Sequence, residues 1–219
     1  MNKNKFKLYD KPFFHFIYDN FFKESILHPI LKLNIPTCQK NNGVRTITNN
    51  SRIFLNNKVC KKYPEFKPVL DIFESDEIKN TFFKLKNRDP KKYPNLRLEY
   101  VQDIGDFYIK IHTDLEVKGI SLLVYISPDG DEKTWGTDLY DVNKQKSIKI
   151  PYRYNSLNGF FPCKEKNGIP TYHGVEPVKI NGIRKVFIIN YVSDEWIDKY
   201  ELSDYDYSYY NDSFEIIKL

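Results

Sequence analysis

Three side chains have the types and order of a metal-binding set. His112 and Asp114 form a His-x-Asp motif, and His173 follows later in the chain. Two histidines and one carboxylate can occupy one face of an octahedral Fe(II) and leave three positions open. A closed zinc site needs a fourth protein ligand, commonly cysteine, and none of the three cysteines lies at a useful spacing. The competing interpretation is a His–Asp hydrogen bond inside a β-fold, with His173 an unrelated buried residue.

These residues fall on predicted strands. Alternation along segment 107–112 predicts that Tyr108 and His112 share one face of a strand, with the apolar residues between them on the other. Asp114, two residues on, is placed where its carboxylate can turn back beside the imidazole. His173 lies in a later predicted strand. Arg184 follows it by eleven residues, at the start of the last strongly apolar strand.

The chain changes character near residue 95. Before this point the patterns predict a strand in 12–18, a helix in 21–33, two short β-like runs within 44–56, and one or two amphipathic helices in 65–87 with Ser75 as an N-cap. After it come eight short predicted strands, at 96–102, 107–112, 120–127, 137–142, 146–151, 159–163, 171–178 and 184–192. This spacing predicts a sandwich or a double-sheet jelly roll. Segment 120–127 is apolar on both faces, which predicts a central strand covered by the N-terminal helices.

Composition excludes several classes of protein. The 219 residues are 41% hydrophobic, so a single folded domain over 1–219 is expected. The net charge of +5 comes mainly from evenly spread lysines, and no nucleic-acid partner is expected. No apolar stretch is long enough for a membrane span. The N-terminal apolar run is broken by His15 and Asp19, unlike a signal peptide. Three unpaired cysteines fit a reducing compartment, and we expect a cytoplasmic protein.

Several blocks of sequence resemble, in the same order, the Fe(II)/2-oxoglutarate-dependent dioxygenases, in particular their prolyl-4-hydroxylase-like branch. The blocks are PFFHFIYDNFF (12–22), LRLEYVQDIGDFYIKIHTD (96–114), KGISLLVYIS (118–127) with WGTDLYD (135–141), TYHGVEPV (171–178) and GIRKVFIINYV (182–192). The resemblance covers about residues 12–192. It implies a mainly β (α+β) fold, the double-stranded β-helix of jelly-roll or cupin type. Its core would be 96–192, supported on one sheet by helices from 1–95. By composition, residues 193–219 form an acidic, Tyr-rich tail.

The resemblance also implies roles for individual residues. It assigns His112, Asp114 and His173 to iron, and Arg184 to the distal carboxylate of 2-oxoglutarate. A bidentate guanidinium–carboxylate pair suits that role because it fixes a planar anion in one orientation. Tyr108 is expected to donate a hydrogen bond to the same carboxylate. Lys185 is the alternative anchor, since a register error of one residue would exchange it with Arg184.

The implied activity is that of a hydroxylase. It would use Fe(II), 2-oxoglutarate and O2, with ascorbate as an optional reductant, to hydroxylate a C–H bond and release succinate and CO2. The substrate is left open between a peptidyl proline and a small metabolite or sugar, and the oligomeric state is also open. Two other functions remain: a non-catalytic jelly-roll binding module, and a cupin-type metalloenzyme that does not use 2-oxoglutarate.

Overall fold

A computed structural model describes residues 6–35 and 52–205. The strands in these ranges are β1 (Lys7–Tyr9), β2 (His15–Tyr18), β3 (Arg52–Phe54), β4 (Asn95–His112), β5 (Lys118–Tyr125), β6 (Thr137–Tyr140), β7 (Lys146–Ile150), β8 (Ser156–Phe160) and β9 (His173–Val192). The α-helices are α1 (Glu24–Leu31), α2 (Asn57–Lys62), α3 (Lys67–Glu74) and α4 (Asp76–Lys84). Within the same ranges, every helix falls short of the length and hydrophobicity that a membrane crossing requires.

The strands form two antiparallel sheets that share β4 and β9. The large sheet has the order β1-β2-β8-β5-β9-β4-β3. The small sheet joins β7 and β6 to the first half of β9, which pairs with the second half of β4. Two sheets that share long bent strands make a double-stranded β-helix. The predicted fold class is therefore confirmed.

The long strands bend where they pass from one sheet to the other. The pair Asp103–Arg184 is followed by the pair Gly105–Ile180, so β9 contains two extra residues at this point. Gly105 has φ +64° and Gly182 has φ +120°, a region in which glycine carries no steric penalty. Each long strand was predicted as two strands, because these turn residues interrupt the alternation along the sequence.

The helices cover the outer face of the large sheet, as predicted. Apolar side chains from the helices meet alternate side chains of β4, β5 and β9 in one buried core. Its members include Leu27, Ile30, Val69, Phe73, Phe82 and Phe83 from the helices, and Leu98, Tyr100, Leu122, Val124, Phe187 and Ile189 from the strands. Burial of side chains of this size stabilises the fold by about 1.5–3 kcal/mol each. The helical layer therefore holds the large sheet in place from outside.

A second core fills the space between the two sheets. It includes Phe107, Tyr125, Trp135, Leu139, Ile150, Phe160, Val175 and Val186. Both sheets contribute to it, so a side chain that faces this core faces the interior of the β-helix. The candidate site residues are described below relative to this inner face.

Most predicted elements are present with shorter bounds. β2 lies within 12–18, α1 within 21–33, and α3 and α4 within 65–87. Ser75 is the N-cap residue of α4, but its side chain makes no capping hydrogen bond. Of the two β-like runs in 44–56, the second contains β3, and the first lies outside the described residues.

Candidate functional site

The structure brings the three predicted metal ligands together. His112 ends β4, His173 begins β9, and Asp114 lies in the loop between β4 and β5. One ligand atom from each residue lies within 4.8 Å of the other two. The two imidazole rings are 4.2 Å apart at their centroids. Within residues 6–35 and 52–205, this is the one cluster of at least three potential His, Cys, Asp or Glu ligands.

Backbone carbonyls fix the tautomer of both imidazoles. Nδ1 of His112 is 2.9 Å from the carbonyl oxygen of Lys110, and Nδ1 of His173 is 3.0 Å from that of Thr171. A carbonyl only accepts hydrogen bonds, so both Nδ1 atoms carry the proton and the Nε2 lone pairs are free. Metal-binding histidines are oriented in the same way. The donor set therefore fits a divalent metal with two nitrogen ligands and one carboxylate oxygen.

A register shift between β4 and β9 brings His112 to the inner face. Ile109 pairs with Val175 and His112 pairs with His173, so β4 takes three steps where β9 takes two. The extra residue is a β-bulge, which changes the face that following side chains occupy. Ile111 accordingly points outward and is 41% exposed.

The prediction that Tyr108 shares a face with His112 is wrong. Phe107 and Ile109 face the core between the sheets, and Tyr108 alternates with them. The bulge lies between Tyr108 and His112, so the simple alternation read from the sequence does not hold across it. Tyr108 is on the outer face of the strand, and we do not assign it to the site.

Two side chains hold the carboxylate of Asp114. Lys118 Nζ donates to Oδ1 at 2.6 Å, and the Ser121 hydroxyl donates to Oδ2, also at 2.6 Å. Asn190 Nδ2 in turn donates to Ser121 Oγ at 3.0 Å, and its Oδ1 accepts from Arg97 at 3.1 Å. Ser121, Asn190 and Arg97 are all buried. Asp114 is thus oriented by a hydrogen-bonded chain that runs across three strands of the large sheet.

The electrostatic environment keeps Asp114 and His173 unprotonated. Burial alone would raise the pKa of Asp114, but Lys118 and His173, with the hydrogen bonds from Lys118 and Ser121, hold it well below its usual range. Burial lowers the pKa of His173 to about 4, with Asp114 opposing and His112 reinforcing the change. Metal ions bind carboxylates and neutral imidazoles, so these forms are ready to bind without releasing a proton near neutral pH.

Arg184 lies inside the β-helix and Lys185 lies outside it. The Arg184 guanidinium is fully buried and sits 5.0, 5.7 and 5.5 Å from the ring centroids of Phe107, Tyr125 and Tyr152. Lys185 faces the helical layer, where its Nζ donates to the Leu31 carbonyl at 3.1 Å. Of the two candidate anchors, only Arg184 is on the face that carries the metal ligands.

The sequence analysis missed five residues that shape the site. These are Asp103, Ser121, Tyr125, Tyr152 and Asn190. Ser121 and Asn190 did carry a signal, because each is a polar residue within an otherwise apolar strand. Asp103 carried a weaker sequence signal, because its importance depends on its position directly opposite Arg184 in the pairing of β4 and β9.

The fold is similar to that of solved prolyl 4-hydroxylases. For the enzyme of Phytophthora capsici the TM-score is 0.55 at 15% identity, over 82% of this chain and 59% of that chain. For that of Pseudomonas putida it is 0.55 at 8% identity, over 82% and 92%. For the prolyl hydroxylase of Trichoplax adhaerens, in complex with a peptide fragment of the hypoxia inducible factor oxygen degradation domain, it is 0.50 at 15% identity, over 88% and 85%.

This chain has the prolyl 4-hydroxylase fold. No protein-family model matches the sequence, and no curated protein does. The chain spans 59% of the Phytophthora protein. At these identities the likeness to the hydroxylases is one of fold, and the chemistry has to be argued from the site.

Proposed function

We propose that this protein is an Fe(II)- and 2-oxoglutarate-dependent dioxygenase that hydroxylates a C–H bond and releases succinate and CO2. One observation carries the proposal: a three-donor metal cluster and a buried arginine share the inner face of a prolyl 4-hydroxylase-like β-helix. We further propose that the whole chain acts as one catalytic domain, and that the site residues are His112, Asp114, His173 and Arg184.

His112, Asp114 and His173 would hold the iron. Three protein ligands leave three positions of an octahedral ion open, as a co-substrate and O2 require. When bound, the iron and 2-oxoglutarate supply the oxidising power for C–H hydroxylation. The protein's part is to orient both imidazoles, to keep His173 neutral, and to fix the carboxylate of Asp114 through Lys118 and Ser121.

Arg184 would bind the distal carboxylate of 2-oxoglutarate. Its Nε donates to the Trp135 carbonyl at 2.7 Å and its Nη1 donates to Asp103 at 2.6 Å. The second terminal nitrogen, Nη2, makes no hydrogen bond within the described residues and can donate to a ligand. The rings around Arg184 exclude water, so a charge-assisted hydrogen bond at this position would be strong.

The substrate is proposed at the level of chemical class. A peptidyl proline is the first candidate, because the Trichoplax structure of the same fold contains a peptide fragment. A small metabolite or a sugar is the second, since specificity in such folds lies in the loops around the metal. Offering proline-containing peptides and small C–H substrates in parallel, with succinate release as the readout, distinguishes the two.

The first experiment is a spectroscopic titration. Under anaerobic conditions, Fe(II) followed by 2-oxoglutarate should give a weak metal-to-ligand charge-transfer band near roughly 500 nm. His112→Ala should abolish the band and Arg184→Met should weaken it, whereas Lys185→Met should leave it intact. Bound iron without a band would favour a cupin-type enzyme that does not use 2-oxoglutarate. Neither iron nor a band would leave a non-catalytic binding module.

A further inference from the structure

Arg184 already has a buried counter-ion. Asp103 lies directly opposite it in the pairing of β4 and β9. Arg184 Nη1 and Asp103 Oδ2 are 2.6 Å apart, and the two side chains are only 1% and 3% exposed. The arginine proposed to receive the co-substrate is therefore neutralised before any ligand arrives.

The ion pair with Asp103 reduces the positive potential that a second anion would experience at Arg184. An unpaired guanidinium would offer an incoming carboxylate a full positive charge. Here the carboxylate would share the guanidinium with Asp103, and the two anions would lie a few ångströms apart. Like charges at that distance repel strongly where water is excluded, and the rings of Phe107, Tyr125 and Tyr152 surround the guanidinium.

The pair also stabilises the protein without ligand. A buried charge left without its partner is strongly destabilising. Asp103 therefore lets Arg184 remain buried when no other carboxylate is bound beside it. The Arg184 Nε bond to the Trp135 carbonyl holds the guanidinium from another side, so Asp103 is not needed to keep its direction.

We propose that Asp103 competes with the co-substrate for the guanidinium of Arg184. It balances the charge of Arg184 in the unliganded protein, and it weakens binding of the distal carboxylate of 2-oxoglutarate. The proposal rests on the assignment of Arg184 to that carboxylate. It follows that Asp103 increases the stability of the unliganded protein and lowers its affinity for 2-oxoglutarate. Its occupancy by 2-oxoglutarate would then respond to changes in co-substrate concentration instead of being saturated.

The test replaces Asp103 by its uncharged isostere. Protein loaded with Mn(II) is titrated with 2-oxoglutarate by calorimetry, and the melting temperature is recorded with and without it. In Asp103→Asn we expect the dissociation constant to fall at least about tenfold. The unliganded melting temperature should drop, and the upward shift caused by 2-oxoglutarate should grow. 2-Oxobutyrate, which lacks the distal carboxylate, should bind wild type and variant within about twofold of each other.

The matched control is Asp138→Asn. Asp138 is also completely buried and pairs with Lys146 and Lys149 on the small sheet. Its replacement should lower the melting temperature but leave 2-oxoglutarate affinity unchanged. Should Asp103→Asn not fold alone, 2-oxoglutarate with Mn(II) should restore its folded circular dichroism spectrum, because the ligand replaces the missing anion.

The outcomes separate this inference from the proposed function. Unchanged or weaker 2-oxoglutarate binding in Asp103→Asn would overturn the competitor role and make Asp103 a residue that positions the guanidinium. An unfolded variant that 2-oxoglutarate does not rescue would also overturn it. If both proteins bind Mn(II) but neither binds 2-oxoglutarate, the proposed function itself fails. Binding by the variant alone would support both.

Discussion

His112 lies directly opposite His173 because β4 contains one more residue than β9 in the stretch that ends at this pair. Without this extra residue, strand alternation would turn His112 outward, and Ile111 would point into the β-helix. The single residue of the bulge therefore decides whether two imidazoles can reach one metal ion. Substitutions next to the bulge should therefore affect the site even when they do not replace a metal ligand.

Gly174 is the residue whose substitution should disturb this bulge. It lies opposite the bulged segment, and a Cβ atom there would be 2.7 Å from the Ile109 carbonyl oxygen. Gly174→Ala should push β4 away and weaken metal binding by about tenfold or more, a loss comparable to that of a supporting contact. Co(II) titration followed by visible absorption measures it. Val175→Ala, which removes volume without a clash, should lower the melting temperature and keep Co(II) affinity.

Each of the three ligands should be required for metal binding. His112→Ala, Asp114→Ala and His173→Ala each remove one of the three protein donors, so calorimetric binding of Mn(II) should fall below detection or by at least about a hundredfold. His28→Ala is the matched control, because His28 is exposed on α1 and far from the cluster in sequence. Retained affinity in two of the three ligand variants would argue against this cluster as the metal site.

Ser121 should act on the metal through Asp114. In Ser121→Ala the carboxylate keeps Lys118 but loses the hydrogen bond to Oδ2 and the link to Asn190. Loss of such a supporting contact typically costs about 10- to 100-fold in metal affinity. Ser156→Ala is the control, because Ser156 is equally buried but its hydroxyl has no partner within the described residues. Equal Mn(II) affinities for the two variants would show that the chain to Asn190 does not orient Asp114.

The sequence was sufficient to select the three candidate ligands that the structure brings together. His112 and Asp114 are separated by one residue, and His173 and Arg184 begin two segments of strong β pattern, so order and residue type single them out as candidates. The number and spacing of short apolar segments predicted a sandwich or a double-sheet jelly roll, and the resemblance to the dioxygenases implied the double-stranded β-helix. The structure adds that these residues share one inner face.

The missed features depend on pairing between distant strands. The bulge after Ile109 involves β9, some sixty residues further along, and no local pattern in β4 marks it. Tyr108 was placed on the wrong face for this reason. Asp103 becomes important only through the strand opposite it, since an acid in a strand is equally compatible with a solvent-facing position. Ser121 was recognisable as a polar residue in an apolar strand, but its contact with Asp114 depends on the fold.

The free energy of unfolding of the metal-free protein should decrease as the pH is lowered, because His173 is buried in its neutral form. Its pKa is lowered to about 4 by burial, whereas an unfolded histidine titrates near 6.5. Between these values the unfolded chain binds a proton that the folded chain does not, so the free energy of unfolding decreases as pH falls, by at most about 1.4 kcal/mol per pH unit. His15, whose pKa burial also lowers, adds to the slope in the acidic range. Asp114 adds a separate loss of stability, which begins only when the pH falls below the ordinary pKa of a carboxyl group.

A variant isolates the part that His173 contributes. Urea denaturation with a chelator at pH 5, 6 and 7 should show a steep loss of stability for wild type and a shallower one for His173→Gln, which has no proton to gain. His28→Gln, a substitution of an exposed histidine on α1, is the matched control. Equal slopes for wild type and His173→Gln would mean that His173 is not held neutral by its burial, and that proton competition at the metal site begins near neutral pH.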